Sequence, residues 1–320
     1  MSIKDSVSKK YLQDNERFAD LFNFYLYDGK RIIQPQELKP LDTTEIALPY
    51  GEKNKSSAVQ KQRDVIKTVN AMTDDECAYL LLASELQSEK HYAMPPKNML
   101  YDAIQYSDQV VRTAKTHKGN NDNYENNGEY LSGFKKTDRL IPVITLTVYF
   151  GADEWDAPKS LHEMLTLKDK SLLQFIPDYK INLITPAAIT ERDFDKFSTE
   201  LRSVFKYIKY STNKELLENA INTDTHFQKI SRESVEMINA MTSSNIPIKQ
   251  GEERINMCQA IKDIRAEERQ EGIKEGIKEG IKEGIKEGAK AANKATIERM
   301  RQKGFTENEI RLALGDGYCE

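Results

Sequence analysis

A run of apolar residues ending in two evenly spaced polar ones limits what this chain can fold into more than any other stretch. In AYLLLASELQS, residues 78–88, Leu80, Leu81, Leu82 and Ala83 lead directly into Glu85 and Gln87. A short apolar run with turn-forming flanks has the length and composition of a buried strand. On a strand, positions i and i+2 point to the same face. A carboxylate and an amide are then delivered side by side at the exit of a core strand. That arrangement suits holding a divalent metal and orienting a water beside a phosphate. The same spacing also fits an ordinary polar strand end.

A chain of 320 residues can bury a full core and hold one large domain or two. Hydrophobic residues make up 38% and charged residues 31%, the balance of a soluble, polar protein. No apolar stretch approaches the ~20 residues that cross a bilayer, and the N-terminal MSIKDSVSKKYLQDNERF has no apolar signal region. The expected home is the cytoplasm, with no membrane partner. Cys77, Cys258 and Cys319 are far apart and odd in number, which implies neither a disulfide framework nor a CxxC zinc site and fits a reducing compartment. The net charge of −4 and isoelectric point near 5.8 argue against a protein that coats DNA. They leave room for a phosphate-cleaving enzyme whose acidic metal site offsets local basic patches.

Residues 11–27 read as one helix, with Leu12, Phe18, Leu21, Phe22 and Tyr25 near one face and Asp28-Gly29 ending it. Pro35 and Pro40 mark a loop. TTEIALPYG (43–51) and RDVIKTVN (63–70) are strand-like, joined by a polar connection, and Asp74-Asp75-Glu76 forms a turn into the strand that carries Glu85. Pro95 and Pro96 suit the first turn of a helix running through KNMLYDAIQYSDQVVRTA, on which Lys97, Tyr101 and Gln105 share a face. Residues 116–139, rich in Asn and Gly, read as a long exposed loop. LIPVITLTVYFG (140–151) is a strong strand, and DYKINLITP (178–186) reads as another. Helices on a mixed sheet are the expected architecture. From about residue 191 the pattern turns helical.

Residues 271–288 read EGIKEGIKEGIKEGIKEG. Ile273, Ile277, Ile281 and Ile285 recur every four residues, as do Gly272, Gly276, Gly280, Gly284 and Gly288. Each Gly costs about 1 kcal/mol relative to Ala in a helix, and a period of four drifts roughly 40° per repeat around a 3.6-residue helix. The expectation is a marginal helix, acting either as a solvated spacer or as a surface for self-association or a partner helix. Beyond it, ATIERMRQKGFTENEIRLALG holds two short helices, with Gly304 ending the first and a Thr306–Glu309 capping box opening the second. Its spacing is that of a helix-turn-helix or of a simple packing hairpin.

Metal-assisted phosphodiester hydrolysis needs acidic ligands converging on one Mg²⁺. Asp64, at the start of one strand, and Glu85, at the end of the next, are one hairpin apart. Neighbouring strands lie about 4.8 Å from each other, so the two carboxylates are placed to share an ion. Gln87 would orient the water or phosphate. Asp20 supplies a further ligand if its helix crosses the sheet near this end. No Gly-rich phosphate loop and no GxSxG occurs, so no nucleotide cofactor and no serine nucleophile is expected. His91, His117, His162 and His226 lack metal-ligand spacing. Trp155 in GADEWDAP reads as a structural anchor.

The words NERFADLFNFYLYDG, LDTTEI, QRDVIK, ASELQS, HYAMPPKNMLYDAIQY, PVITLTVYFGADEWDAP and the EGIKEGIKEG tail resemble the recombination-promoting nuclease/transposase family (Rpn), a branch of the PD-(D/E)XK nuclease superfamily. The likeness covers roughly residues 11–190 and the repeat. It implies an α/β restriction-endonuclease core in the order αβββαβ over 1–190; the residue pattern beyond it gives a helical region over 191–270, the repeat, as helix or spacer, over 271–290 and a helical hairpin over 291–320. It also implies a Mg²⁺-dependent DNA endonuclease linked to recombination or transposition, with Asp64, Glu85 and Gln87 at the acidic-motif positions. The superfamily's last motif residue is usually lysine, and Gln87 cannot stabilise charge as an ammonium does. Lys97 on the following helix would replace it, with Lys90 as a lesser candidate. Around Glu85, Ala83-Ser84-Glu85-Leu86-Gln87 also lacks the glycine and asparagine of the family pattern. The contrasting expectation is a catalytically weak or inactive DNA-binding or assembly protein with the same fold, self-associating through residues 271–290.

Overall fold

The computed structural model describes the backbone of residues 3–40, 44–47, 59–62, 64–73 and 76–315, and their side chains except at 44–47, 59–62, 69–73, 76–85 and 267–268. The chain opens with two helices, α1 (Ile3–Gln13) and α2 (Asn15–Tyr27). The single helix expected over 11–27 is therefore broken near its start. Asp14 breaks it: its extended backbone leaves the helix, and its side chain accepts from the Arg17 N–H at 3.0 Å as the N-cap of α2. At the other end Asp28 and Gly29 take left-handed backbone conformations and close α2, as the sequence implied.

Strands β1 (Lys39–Pro40), β2 (Thr44–Ala47), β3 (Val59–Gln62), β4 (Val65–Thr73) and β5 (Glu76–Gln87) follow. Then come α3 (Met94–Gly119), α4 (Asn127–Ser132), β6 (Val143–Tyr149) and β7 (Asn182–Ile184). The main sheet has the order β1-β4-β5-β6-β7. β4 runs antiparallel to both β1 and β5, whereas β5, β6 and β7 are mutually parallel. The parallel β5–β6 pair demands a crossover, and α3 provides it. β2 and β3 form a separate antiparallel ribbon.

β6 is covered on both faces, which explains its nearly continuous β-branched and apolar sequence. Thr145 and Thr147 meet α3: Thr147 Oγ1 accepts from Asn98 Nδ2 at 2.9 Å, and Thr145 Oγ1 donates to Asp102 Oδ1 at 2.5 Å. The alternate residues Leu146 and Val148 are fully buried on the other face. Beyond them Phe150 stacks on Phe205, Phe205 tilts against Phe197, and Phe197 stacks on Phe24 with ring centroids 4.2 Å apart. This aromatic seam ties the sheet to α2 and to α5 (Leu201–Tyr210).

The remaining elements of the first compact unit, Met1–Cys258, are α6 (Lys214–Thr223), β8 (Ile230–Ser231), α7 (Arg232–Thr242) and β9 (Arg254–Ile255). A buried lysine on β4, Lys67, clamps the α1–α2 junction: its Nζ donates to the Gln13 carbonyl and to Asn15 Oδ1, both at 2.7 Å.

The stretch expected as a long exposed loop is internally built. Glu129, on α4, is buried and accepts from the Glu125 and Lys136 N–H groups at 2.8 and 2.9 Å, clasping the excursion shut. His117 sits between two carboxylates, Asp122 Oδ2 on Nδ1 at 2.6 Å and Asp138 Oδ2 on Nε2 at 2.8 Å.

The second unit spans Gln259–Glu320. The helix α8, which begins at Met257 and runs to Gln302, has 46 residues and contains the whole repeat as continuous helix. Ile273, Ile277, Ile281 and Ile285 are all more than half exposed. A Cβ placed on any repeat glycine would meet nothing within 4 Å. Gly304, with φ +90°, ends this helix, and α9 (Glu307–Leu314) begins at the Thr306–Glu309 capping box, both as expected. Among the described residues no helix is long and apolar enough to cross a membrane.

Candidate functional site

Three element ends meet at one edge of the sheet. β5 terminates at Gln87, its antiparallel neighbour β4 starts at Val65, and α3 starts at Met94. In sheets with parallel crossovers, ligands bind in the crevice beyond the carboxyl ends of the strands. Here that crevice is a cavity of about 520 Å³, lined by Asp64, Gln87 and Lys97, and also by Asp5 and His91.

Asp64 stands one residue before β4 and extends the ladder with its side chain. Its Oδ2 accepts from the Leu86 N–H at 2.9 Å. Burial raises the Asp64 pKa above the ordinary carboxylate range, while the Leu86 N–H and the nearby charges of Lys97 and Lys9 pull it back down and Asp5 pushes it up. A partly desolvated carboxylate of this kind gains from a cation beside it.

Val65 pairs with Ser84, so continuing the antiparallel register by one residue sets the Glu85 backbone across from Asp64. The Glu85 side chain lies outside the described residues. Gln87 Nε2 donates to the Leu86 carbonyl at 3.0 Å, which turns Oε1 to the opposite end of the amide. Lys97 occupies the first turns of α3, its N–H donating to the Ala93 carbonyl at 3.2 Å and its ammonium 5.9 Å from the Tyr101 ring. The start of α3 is fixed by packing: Met94 is fully buried with Tyr149, Trp155, Ala157 and Ile181, so Trp155 is the anchor that the sequence suggested.

Two other sequence candidates are differently engaged. Asp20 does not join Asp64. It is buried, and its two oxygens accept from the backbone N–H and hydroxyl of both Ser198 and Thr199, at 2.6–2.9 Å. Its helix crosses elsewhere, and Asp20 fastens α2 to the segment entering α5 beside a separate cavity. Lys90 reaches the rim of the Asp64 cavity, but its Nζ is held by Asp153 at 2.7 Å and Asp156 at 3.2 Å.

Two further side chains frame the cavity. His91 has its pKa lowered, by burial and then by Lys97, and its Nδ1 accepts from the Ala93 N–H at 3.3 Å. Asp5, in the first turn of α1, accepts from Ser88 Oγ at 3.4 Å. Nothing in the local sequence marks Asp5, because only the packing of α1 on β4 and β5 brings it here. Among the described residues no three His, Cys, Asp or Glu side chains converge in the manner of a metal site. The oxygen donors that line the cavity, the carboxylates of Asp5, Asp64 and Glu89 and the Gln87 amide, are of the hard type that magnesium takes.

No curated protein sequence matches this chain, and no solved structure does. One family model, described as "Putative transposase, YhgA-like", matches residues 4–237, which include the whole main sheet, the crossover helix and every residue of the Asp64 cavity. The chain belongs to this transposase family.

Proposed function

We propose that this chain is a metal-dependent DNA endonuclease of the PD-(D/E)XK type, cutting phosphodiester bonds in recombination or transposition. The observation that carries the reading is the single cavity at the carboxyl end of β5 that gathers Asp64, Gln87 and Lys97, with the Glu85 backbone in register with Asp64. The element order α2-β1-β4-β5-α3-β6 supports it, because it follows the αβββαβ order that the resemblance implies. A transposase family is also one whose substrate is DNA.

In this reading Asp64 and Glu85 are the carboxylates that hold Mg²⁺, and Gln87 adds an amide oxygen. A magnesium ion bound there supplies Lewis-acid polarisation of the phosphoryl oxygen and a water of lowered pKa. Asp64 is held in place by the Leu86 N–H, so its geometry is set before any ligand arrives. Lys97 supplies the positive charge that Gln87 lacks, placed to meet a phosphate oxygen as negative charge builds up on it. Gln87 orients the attacking water through its amide.

A nicking assay on supercoiled plasmid with Mg²⁺ or Mn²⁺ tests the reading. Wild type is expected to cut, and Asp64→Ala and Glu85→Ala are expected to lose cutting while still binding DNA. Wild-type protein that binds DNA and nicks none of it with either metal refutes the enzyme. A non-catalytic assembly protein that self-associates through residues 271–290 is the second reading, favoured by the exposed isoleucines of α8. Its mark is a change of oligomeric state when residues 271–320 are removed.

A further inference from the structure

We infer that the far end of α3 and the excursion behind it, residues 112–139, form a second contact with duplex DNA, holding its phosphates about one turn of the duplex away from the Asp64 cavity. This rests on the DNA reading above and adds to it a surface outside the cavity.

Charge, spacing and rigidity carry it. The chain as a whole has a net charge of −4. Within residues 112–139, however, Lys115, Lys118, Lys136 and Arg139 are all exposed, and Glu125 is the only exposed acid. The other acids there are already taken: Asp122 and Asp138 hold His117, and the buried Glu129 accepts from backbone amides. Arg112 is paired with Asp108 and Lys135 with Asp122, whereas among the described residues the four exposed cations have no carboxylate partner. The Arg139 guanidinium donates to the Lys136 and Asp138 carbonyls at 2.9 and 2.7 Å, which fixes its position and leaves its charge uncompensated. Clustered cations without counter-charges, on a chain that is acidic overall, are the electrostatic footprint of a phosphate backbone.

Lys115 lies about five helical turns beyond Lys97, on the same stripe of α3. From Lys97 to Lys118 the helix rises about 32 Å, and B-DNA returns to the same face every 34–36 Å or about that. A duplex laid along α3 with a phosphate at the cavity therefore presents its backbone again at the excursion. The platform there is fixed before DNA arrives, which spares the cost of ordering it. Gly133, with φ +68°, is so close to α3 that a Cβ on it would stand 2.6 Å from the Ala114 Cβ. Gln109 fastens the return towards β6, donating to the Ile141 carbonyl at 3.1 Å and accepting from the Ile141 N–H at 2.7 Å. Tyr130 and Leu131, on α4 in the same excursion, are 70% and 77% exposed and offer apolar surface to the sugars.

The test is fluorescence-anisotropy binding of a duplex of about three turns to the full chain, in EDTA and across a salt series. Wild type is compared with the triple variant Lys115→Gln/Lys118→Gln/Lys136→Gln. A control triple, Lys159→Gln/Lys168→Gln/Lys170→Gln, removes the same charge from exposed positions between β6 and β7. Thermal melts report the fold. The first triple is expected to lower the slope of log K against log salt by about 2–3 and to weaken binding roughly tenfold or more, while the control follows wild type. If the first triple keeps the wild-type slope and affinity, the excursion does not touch DNA. If both triples weaken binding alike, only net charge is at work. Either result overturns the inference and leaves the nuclease reading standing. EDTA keeps the measurement independent of cutting, so a chain that binds duplex and cuts none refutes the endonuclease alone. A wild-type protein that binds no duplex overturns both.

Discussion

Replacing Asp20 separates a structural carboxylate from those of the proposed metal site. Asp20 is buried and receives four hydrogen bonds, two from the backbone amides of Ser198 and Thr199 and two from their hydroxyls. In Asp20→Ala the hydroxyls can turn to other acceptors, but the two amides cannot. A buried donor left unsatisfied costs about 1–3 kcal/mol, so the pair costs roughly 4 kcal/mol. For a unit of this size each kcal/mol moves the melting temperature by about 2–4 °C, so the melt is expected to fall by about 10 °C. Asp20→Asn keeps one acceptor oxygen and should fall about half as far. Differential scanning calorimetry reads the shift, and Mn²⁺ calorimetry below the melt reads the site. Mn²⁺ affinity should stay at the wild-type value in both variants. The reasoning is refuted if Asp20→Ala melts within about 2 °C of wild type, or if it loses Mn²⁺ while its melt is unchanged.

Two further predictions concern pH. Burial lowers the Lys67 pKa to about 8, so between there and the ordinary lysine range the unfolded chain holds more protons than the folded one. Stability should therefore rise as pH goes from about 8 towards 10, and Lys67→Met should flatten that rise in urea titrations. The two carboxylates on His117 raise its pKa, with Asp122 the larger influence, and Lys135, which pairs with Asp122 at 3.3 Å, opposes the shift. The stabilisation from this imidazolium is complete below the unfolded histidine pKa and is lost as pH climbs through the raised folded value. The protection factors for amide exchange across residues 120–138 should fall over that window in wild type but not in His117→Gln.

Much of the sheet and half of the cavity were legible in the sequence. The β5 apolar run and its Glu85–Gln87 exit identified the strand and where it stops, because burial selects apolar residues and the strand period exposes the exceptions. Lys97 was legible for a related reason: Pro95 and Pro96 located the start of α3 next to that strand end. Asp20 misled because it is acidic and helical, and only the packing of α2 against Ser198 and Thr199 shows that its oxygens are taken. Asp5 was invisible for the converse reason, since no periodicity links the first helix to a strand end so far along the chain. Asp14 is of the residue type that caps helices, and it is there that the structure breaks the helix read over 11–27. The 116–139 segment looked like solvent-exposed loop because Asn and Gly dominate it, whereas Glu129 and His117 organise it through hydrogen bonds that leave no hydrophobic pattern.

The long helix α8 has a geometric consequence. At about 1.5 Å per residue its 46 residues reach roughly 70 Å. Each inserted or deleted EGIK unit lengthens or shortens that span by about 6 Å and swings everything beyond it through about a ninth of a revolution. Within this unit the C-terminal hairpin, in which Ile297 and Ile310 are buried, therefore advances along a screw of fixed pitch by a distance that the number of repeats sets. Copy number alone, with no change in any side chain, sets both the reach and the bearing of that hairpin.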